Sequence, residues 1–141
     1  MRSFLSFFFC HTLLIAVVLF GCTKRGGTVD KLKMLAIAQK YDPTTKAIVP
    51  KEMGLGVRCK KDSGELIYGE GCVSGFLLQV GPLEMPMVEF RTEEQARAEA
   101  LRLDQYYYHN WLFDDVVKEP ILENFVKEAY EAKRATQNLD K

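Results

Sequence analysis

The chain of 141 residues has no surplus of either charge: 19 Lys and Arg stand against 19 Asp and Glu. Nucleic-acid binders and polybasic membrane-surface proteins both need a basic excess, so this balance argues against either. Lys60-Lys61 and Lys133-Arg134 are small basic spots that read as solvated surface. Histidine is scarce, two in all, and His11 lies in the apolar N-terminal run, which leaves His109 alone in the rest of the chain. None of the four cysteines has the two-to-four-residue spacing of a zinc knuckle. No Ser or Cys occupies a recognisable nucleophile turn. Gly54-Leu55-Gly56 and Gly69-Glu70-Gly71 open no helix followed by Lys-Ser or Lys-Thr, so they read as turn glycines rather than phosphate cradles. There is no internal repeat and no low-complexity tract. These absences predict a chain without cofactor, metal site or nucleic-acid partner.

What the sequence does have is concentrated at its start. Met1-Arg2-Ser3 carries one positive charge and precedes an apolar segment, Phe4 to Phe20, in the order of a secretory signal. Leu19-Phe20-Gly21-Cys22 follows: a small residue before a cysteine, with Leu three positions upstream. This tetrapeptide resembles the lipobox of bacterial lipoproteins, although Phe20 is bulkier than the usual occupant of its position. The resemblance covers residues 1 to about 25 and implies cleavage before Cys22, whose sulfur carries a diacylglyceryl group. It also implies envelope localisation, with Thr23 in place of an inner-membrane-retaining Asp pointing to the outer membrane, facing the periplasm. An uncleaved anchor is the alternative, but 17 residues lie near the lower limit for spanning a bilayer, and Ser6, His11 and Thr12 interrupt them. A plain secreted protein is the third reading. Two or more acyl chains on Cys22 would hold the protein firmly to membrane lipid without any spanning helix.

Removing residues 1–21 leaves 120 residues, enough for one domain. Residues 22–28, with Gly26-Gly27, read as a lipidated tether, and 29–141 as a single α+β domain. With Cys10 in the leader and Cys22 taken by lipid, Cys59 and Cys72 remain as an even pair. In an oxidising compartment a disulfide is expected, worth roughly 3 kcal/mol for a loop of this size; free thiols or a metal site are the alternatives.

Within the domain, Val29 to Tyr41 has near-helical apolar spacing, with a strand as the competing reading, and Asp42-Pro43 ends it. The glycine-punctuated middle predicts strands at 47–49, 55–60, 64–68, 72–80 and 87–90. For Cys59 to meet Cys72, the chain must reverse at Asp62-Ser63-Gly64 and again at Gly69-Glu70-Gly71, or else form one wide loop. Thr92 with Gln95 fits a capping box, and Ala96, Ala100, Leu103, Tyr107 and Trp111 continue a helical stripe to about Asn110. A last helix starts near Pro120 on the stripe Ile121, Leu122, Phe125, Val126 and Ala129. The expected architecture is a small antiparallel β-sheet followed by two C-terminal helices packed on one face.

The densest cluster is Tyr106-Tyr107-Tyr108-His109-Asn110-Trp111. Wound on a helix, it offers Tyr106, Tyr108, His109 and Trp111 as a candidate binding patch, since polar-tipped aromatics suit interfaces. The competing reading is a helix that anchors its core with these rings. His109 with Asp114 or Asp115 forms the one conceivable acid–base pair, more simply a surface histidine beside turn-capping acids. The expected function is that of a non-enzymatic envelope lipoprotein that binds a protein partner or plays a structural role. The alternative is a peptidoglycan or glycan binder, or a weak cell-wall hydrolase.

Overall fold

The computed structural model describes residues 27–48 and 57–135. The apolar leader, Cys22 and the first part of the tether lie outside the described residues, as do Leu55 and Gly56 of one expected strand and Val49 of another. Asp30 opens the first helix, α1 (Lys31–Tyr41), by accepting the Lys33 N–H at 2.9 Å, and Asp42 ends it in extended geometry ahead of Pro43. Helix, not strand, therefore describes this segment. β1 (Lys46–Ile48) follows, and then the long hairpin of β2 (Cys72–Val80) and β3 (Leu83–Phe90). α2 (Glu93–Leu103) carries the Thr92 cap, with the Gln95 N–H donating to Thr92 Oγ1 at 3.2 Å. β4 (Tyr106–Tyr108), β5 (Trp111–Phe113), α3 (Pro120–Tyr130) with Pro120 in its first turn, and β6 (Lys133–Arg134) complete the order.

All strand pairs are antiparallel, in the sheet order β1-β2-β3-β5-β4-β6. This corrects the expected architecture: the helices are interleaved with the strands rather than following them, and they do not share a face. Met34 and Ala38 of α1 and Leu122, Phe125 and Val126 of α3 pack with Leu78, Met87, Trp111 and Phe113 on one side of the sheet. Ala96 and Ala100 of α2 pack with Val88, Phe90, Tyr107 and Leu112 on the other. The cause is strand composition. Tyr106-Tyr107-Tyr108 and Trp111-Leu112-Phe113 are apolar at every position, so both faces of β4 and β5 require cover.

The same residues correct the expected course of the second helix. It stops at Leu103, where Asp104 adopts φ 55°, and the tyrosines form a strand. Three successive aromatic rings lose rotamer freedom in a helix and fit a pleated surface, and this preference overrides the helical spacing of Tyr107 and Trp111. Arg134 donates to both Asp104 carboxylate oxygens, at 3.1 and 2.7 Å, tying β6 to the end of α2.

Between residues 57 and 71 the expected strands are loop, apart from one antiparallel bridge between Lys60 and Leu66. The double reversal does occur. Gly64 N–H donates to Lys61 O at 2.9 Å in the first turn, Ile67 N–H to Cys59 O at 2.9 Å across it, and Cys72 N–H to Gly69 O at 3.3 Å in the second. Gly71 at φ 87° supplies the left-handed geometry. Cys59 and Cys72 come to disulfide distance, with Cα atoms 5.6 Å apart. The loop is held to the domain by Tyr68, which donates to Asp114 Oδ2 at 2.9 Å, and by the Gly69 N–H, which donates to Glu99 Oε1 at 2.9 Å. Burial pushes the Glu99 carboxyl upward, but bonds from Arg102 and Gly69 outweigh it and leave the pKa below its ordinary value.

The strand expected at 87–90 begins earlier, at Leu83, and contains Pro86. Pro86 O accepts the Asp114 N–H at 2.9 Å, so the backbone of this residue faces β5 just beyond that strand's last pair, and its missing N–H interrupts no ladder.

Two polar ties hold the outer pieces. Asn110 is buried; its Oδ1 accepts the Val29 N–H at 2.7 Å and its Nδ2 donates to Phe90 O at 3.1 Å, while Trp111 Nε1 donates to Val29 O at 2.6 Å. Glu123 accepts from the Lys127 ammonium at 3.0 Å, the Lys118 N–H at 3.0 Å and the Tyr106 hydroxyl at 3.1 Å. These bonds, Lys127's foremost, hold its carboxyl down to about 2.

Asn110→Ala strands the buried Val29 N–H and one Phe90 carbonyl bond, and is expected to cost about 3 kcal/mol in urea unfolding. For Glu123 the depressed folded pKa means its contribution is complete above the ordinary value of 4.5 and is lost as pH falls toward about 2. The thermal midpoint should therefore fall across that window, and Glu123→Gln should flatten this part of the decline.

Candidate functional site

The β4–β5 hairpin turns on two residues, His109 and Asn110, with Tyr108 paired to Trp111. Asn110 points inward to the ties described above. His109 adopts φ 49°, a left-handed conformation that such a tight turn demands and that glycine enters more cheaply. The side chains of the strands alternate: Tyr106, Trp111 and Phe113 enter the core beneath α1 and α3, and Tyr107 that beneath α2.

The expected patch is therefore corrected. Trp111 is fully buried and Tyr106 is 4% exposed, its hydroxyl spent on Glu123. Only Tyr108 and His109 reach the surface, both half-buried, with ring centroids 4.4 Å apart in an edge-to-face contact. The pairing of His109 with Asp114 or Asp115 does not form either. Those acids follow the far end of β5, about 10 Å along the strand from the turn. Asp114 is engaged by Tyr68 and by the Asp115 N–H. The acid nearest His109 is Glu93 at the start of α2, whose Oε2 lies 3.7 Å from Nδ1, too far for a hydrogen bond. That nitrogen is buried and has no hydrogen-bond partner among the described residues.

Tyr108 stands between two grooves. The larger, of about 480 Å³, runs between the C-terminal halves of α1 and α3, with Ile37, Lys40 and Tyr41 on one wall and Glu128, Ala129 and Glu131 on the other. Its floor is Tyr108 and the buried Tyr130, their rings 5.8 Å apart. Burial, and then the neighbouring Tyr108, push the Tyr130 phenol pKa up, so it stays neutral and donates to Met34 O at 2.8 Å. Tyr41, 51% exposed, is braced edge-on against Phe125 at 5.6 Å. The smaller groove, of about 200 Å³, lies on the other side of Tyr108 between Glu93, His109, Glu131 and Lys133. Tyr108 and Glu131 line both.

Together the grooves collect four phenol rings, one imidazole, three carboxylates and two ammonium groups around one hairpin tip. The volume of the larger one suits a small ligand or a few side chains of a partner. Its chemistry is that of recognition: aromatic faces to stack on, carboxylates to accept hydrogen bonds or pair with cations. No signal in the sequence singles out Tyr41, Lys40, Glu93, Glu128 or Glu131, and Lys133 stands out there only as part of a small basic spot. They come from four separate segments, and no spacing links them. Among the described residues no three His, Cys, Asp or Glu side chains converge as metal ligands would, and no helix is long and apolar enough to cross a membrane. Comparison with protein-family models, with curated proteins and with solved structures gave no match to this chain.

His109 is one of five non-glycine residues at positive φ among the described residues, and glycine would enter this turn position with less strain. His109→Gly should leave urea stability unchanged or raise it by up to about 1 kcal/mol, while removing one wall of the smaller groove. A loss of about 2 kcal/mol or more, on the order of a buried-core deletion, would show instead that the imidazole holds the fold.

Proposed function

We propose that this chain is a lipid-anchored envelope protein of non-enzymatic role, which binds a protein partner through the Tyr108–His109 tip and its two grooves. The location rests on the apolar leader and Leu19-Phe20-Gly21-Cys22. The cysteine pair at disulfide distance is compatible with an oxidising compartment. Binding rests on a single observation: Tyr108 separates two grooves whose walls come from α1, α2, α3 and the chain around β6. Half-buried tyrosines framed by charged side chains supply contact area and hydrogen bonds at low entropic cost. Carboxylates outnumber ammonium groups there, so a segment with a basic side chain beside an apolar one suits it best.

Glycan binding is the second reading, supported by the exposed Tyr41 ring beside Tyr108 and by Glu128 and Glu131 as acceptors for sugar hydroxyls.

The intact mass of the full chain purified from membranes should show loss of residues 1–21 and a lipid on Cys22, and Cys22→Ser should abolish both. A photo-crosslinker in place of Glu128 should trap one discrete protein in the envelope, and Tyr108→Ala should remove that product. Trapping unaffected by Tyr108→Ala would refute the site. Co-sedimentation of the purified chain with peptidoglycan, lost in Tyr108→Ala, would favour the glycan reading over the protein one.

A further inference from the structure

The larger groove has a charge pattern of its own. Glu128 and Glu131 stand on its α3 wall and Lys40 on its α1 wall, two carboxylates against one ammonium. All three residues are exposed, and none forms an ion pair with another described residue. Glu123, on the same helix as Glu128, is by contrast bonded to Lys127.

Two further observations point the same way. The groove is lined by aromatic rings: Tyr108 and Tyr130, 5.8 Å apart, and Tyr41, braced against Phe125. Tyr130 spends its hydroxyl on Met34 O, so it offers the groove a ring rather than a donor. The face of a tyrosine attracts a cation through its quadrupole. In addition, α1 ends at Tyr41 and α3 at Tyr130, so both helices bring their C-terminal ends to this groove. Aligned peptide dipoles place negative partial charge at such ends. Carboxylates, rings and helix ends thus all favour a positive ligand.

We infer that the larger groove is a receptor for a guanidinium group: an arginine side chain of the protein partner, stacked against Tyr108 and paired with Glu128 and Glu131. The inference rests on the partner-binding reading above and names the chemistry recognised. A planar guanidinium lies flat on a ring while its edge N–H groups reach carboxylates, a geometry that a compact ammonium does not offer. It is also the more weakly hydrated cation, so it leaves water at lower cost. The groove volume of about 480 Å³ leaves room for the alkyl stem and for an apolar neighbour beside Ile37 and Ala129. Lys40 is the resident competitor, on a flexible stem that lets its ammonium move to solvent when arginine enters.

The test uses the full chain purified from membranes in nonionic detergent, with its tyrosine rings labelled for NMR and assigned by replacing each with phenylalanine in turn. The probes are N-acetylarginine amide, its uncharged analogue N-acetylcitrulline amide, and choline. The arginine probe should shift the Tyr41 and Tyr108 signals saturably and leave that of Tyr68, in the 57–71 loop, in place. Glu128→Gln and Glu131→Gln should each weaken it about threefold, and Lys40→Gln should tighten it about threefold. Tyr108→Leu should weaken it about fivefold; if that change alters the fold, the three exposed positions still decide. Citrulline binding as well as arginine overturns the cation site, as does indifference to all three charge changes. Choline binding more tightly than arginine overturns the assignment to guanidinium. The partner is followed separately, with a photo-crosslinker in place of Lys40. Its trapped product should fall at least about fivefold when Glu128→Gln and Glu131→Gln are combined. A product that persists in that variant but is lost in Tyr108→Ala overturns the arginine receptor and leaves the partner reading standing. Arginine binding with no trapped protein sustains the receptor and overturns the partner reading; neither overturns both.

Discussion

The structure depends on the need to cover two adjacent short strands on both faces. Tyr106-Tyr107-Tyr108 and Trp111-Leu112-Phe113 have no polar side to turn to water, and they lie in the interior of the sheet order. One helix cannot shield both sides. α2 takes the face of Tyr107 and Leu112, while α1 and α3 together take the face of Tyr106, Trp111 and Phe113. Each buried aromatic ring is worth about 2–3 kcal/mol of transfer from water, so this hairpin dictates where every helix goes. The interleaved order of helices and strands follows, because helices must reach both faces from a sheet whose central strand, β3, passes between them.

The polar tips of the same rings have separate duties. Trp111 Nε1 and the Asn110 amide take up the backbone of Val29 and so dock the N-terminal entry of the domain against the hairpin turn. Tyr106 and Tyr130 spend their hydroxyls on Glu123 and on the Met34 carbonyl, binding α3 to the sheet and to α1. Tyr108 alone among these rings keeps an edge free, because its pairing position next to the turn lifts it past the ends of the helices. The candidate site is thus a by-product of core construction: where the cover provided by α1, α2 and α3 stops, one tyrosine and one histidine emerge between them.

Val29 fixes the start of the described domain to the hairpin whose tip lines the grooves, and the larger groove lies at the C-terminal end of α1.

Part of this architecture is legible in the order of the amino acids. The Thr92 and Pro120 helix starts, the break at Asp42-Pro43, the span of β2 and the two reversals between Cys59 and Cys72 depend on contacts within a few residues: caps, missing amide hydrogens, glycine backbone freedom. Such signals survive in one dimension because the interacting groups are neighbours in the chain. The end of α2 is not legible in the same way, because Tyr107 and Trp111 fall at helical spacing and also alternate as strand residues, and local periodicity does not choose between the two. The choice comes from β3, whose Val88 and Glu89 pair with Leu112 and Trp111 from more than twenty residues away. The groove is hidden for the same reason. Ile37, Glu93, Tyr108 and Glu131 share no spacing and become one site only when α1, α2, β4 and the end of α3 close around the hairpin. Short-range chemistry determined the caps, the turns and the cysteine pair; which rings of the hairpin are buried, and which two reach the surface, was decided by long-range packing, because burial depends on what arrives from elsewhere in the chain.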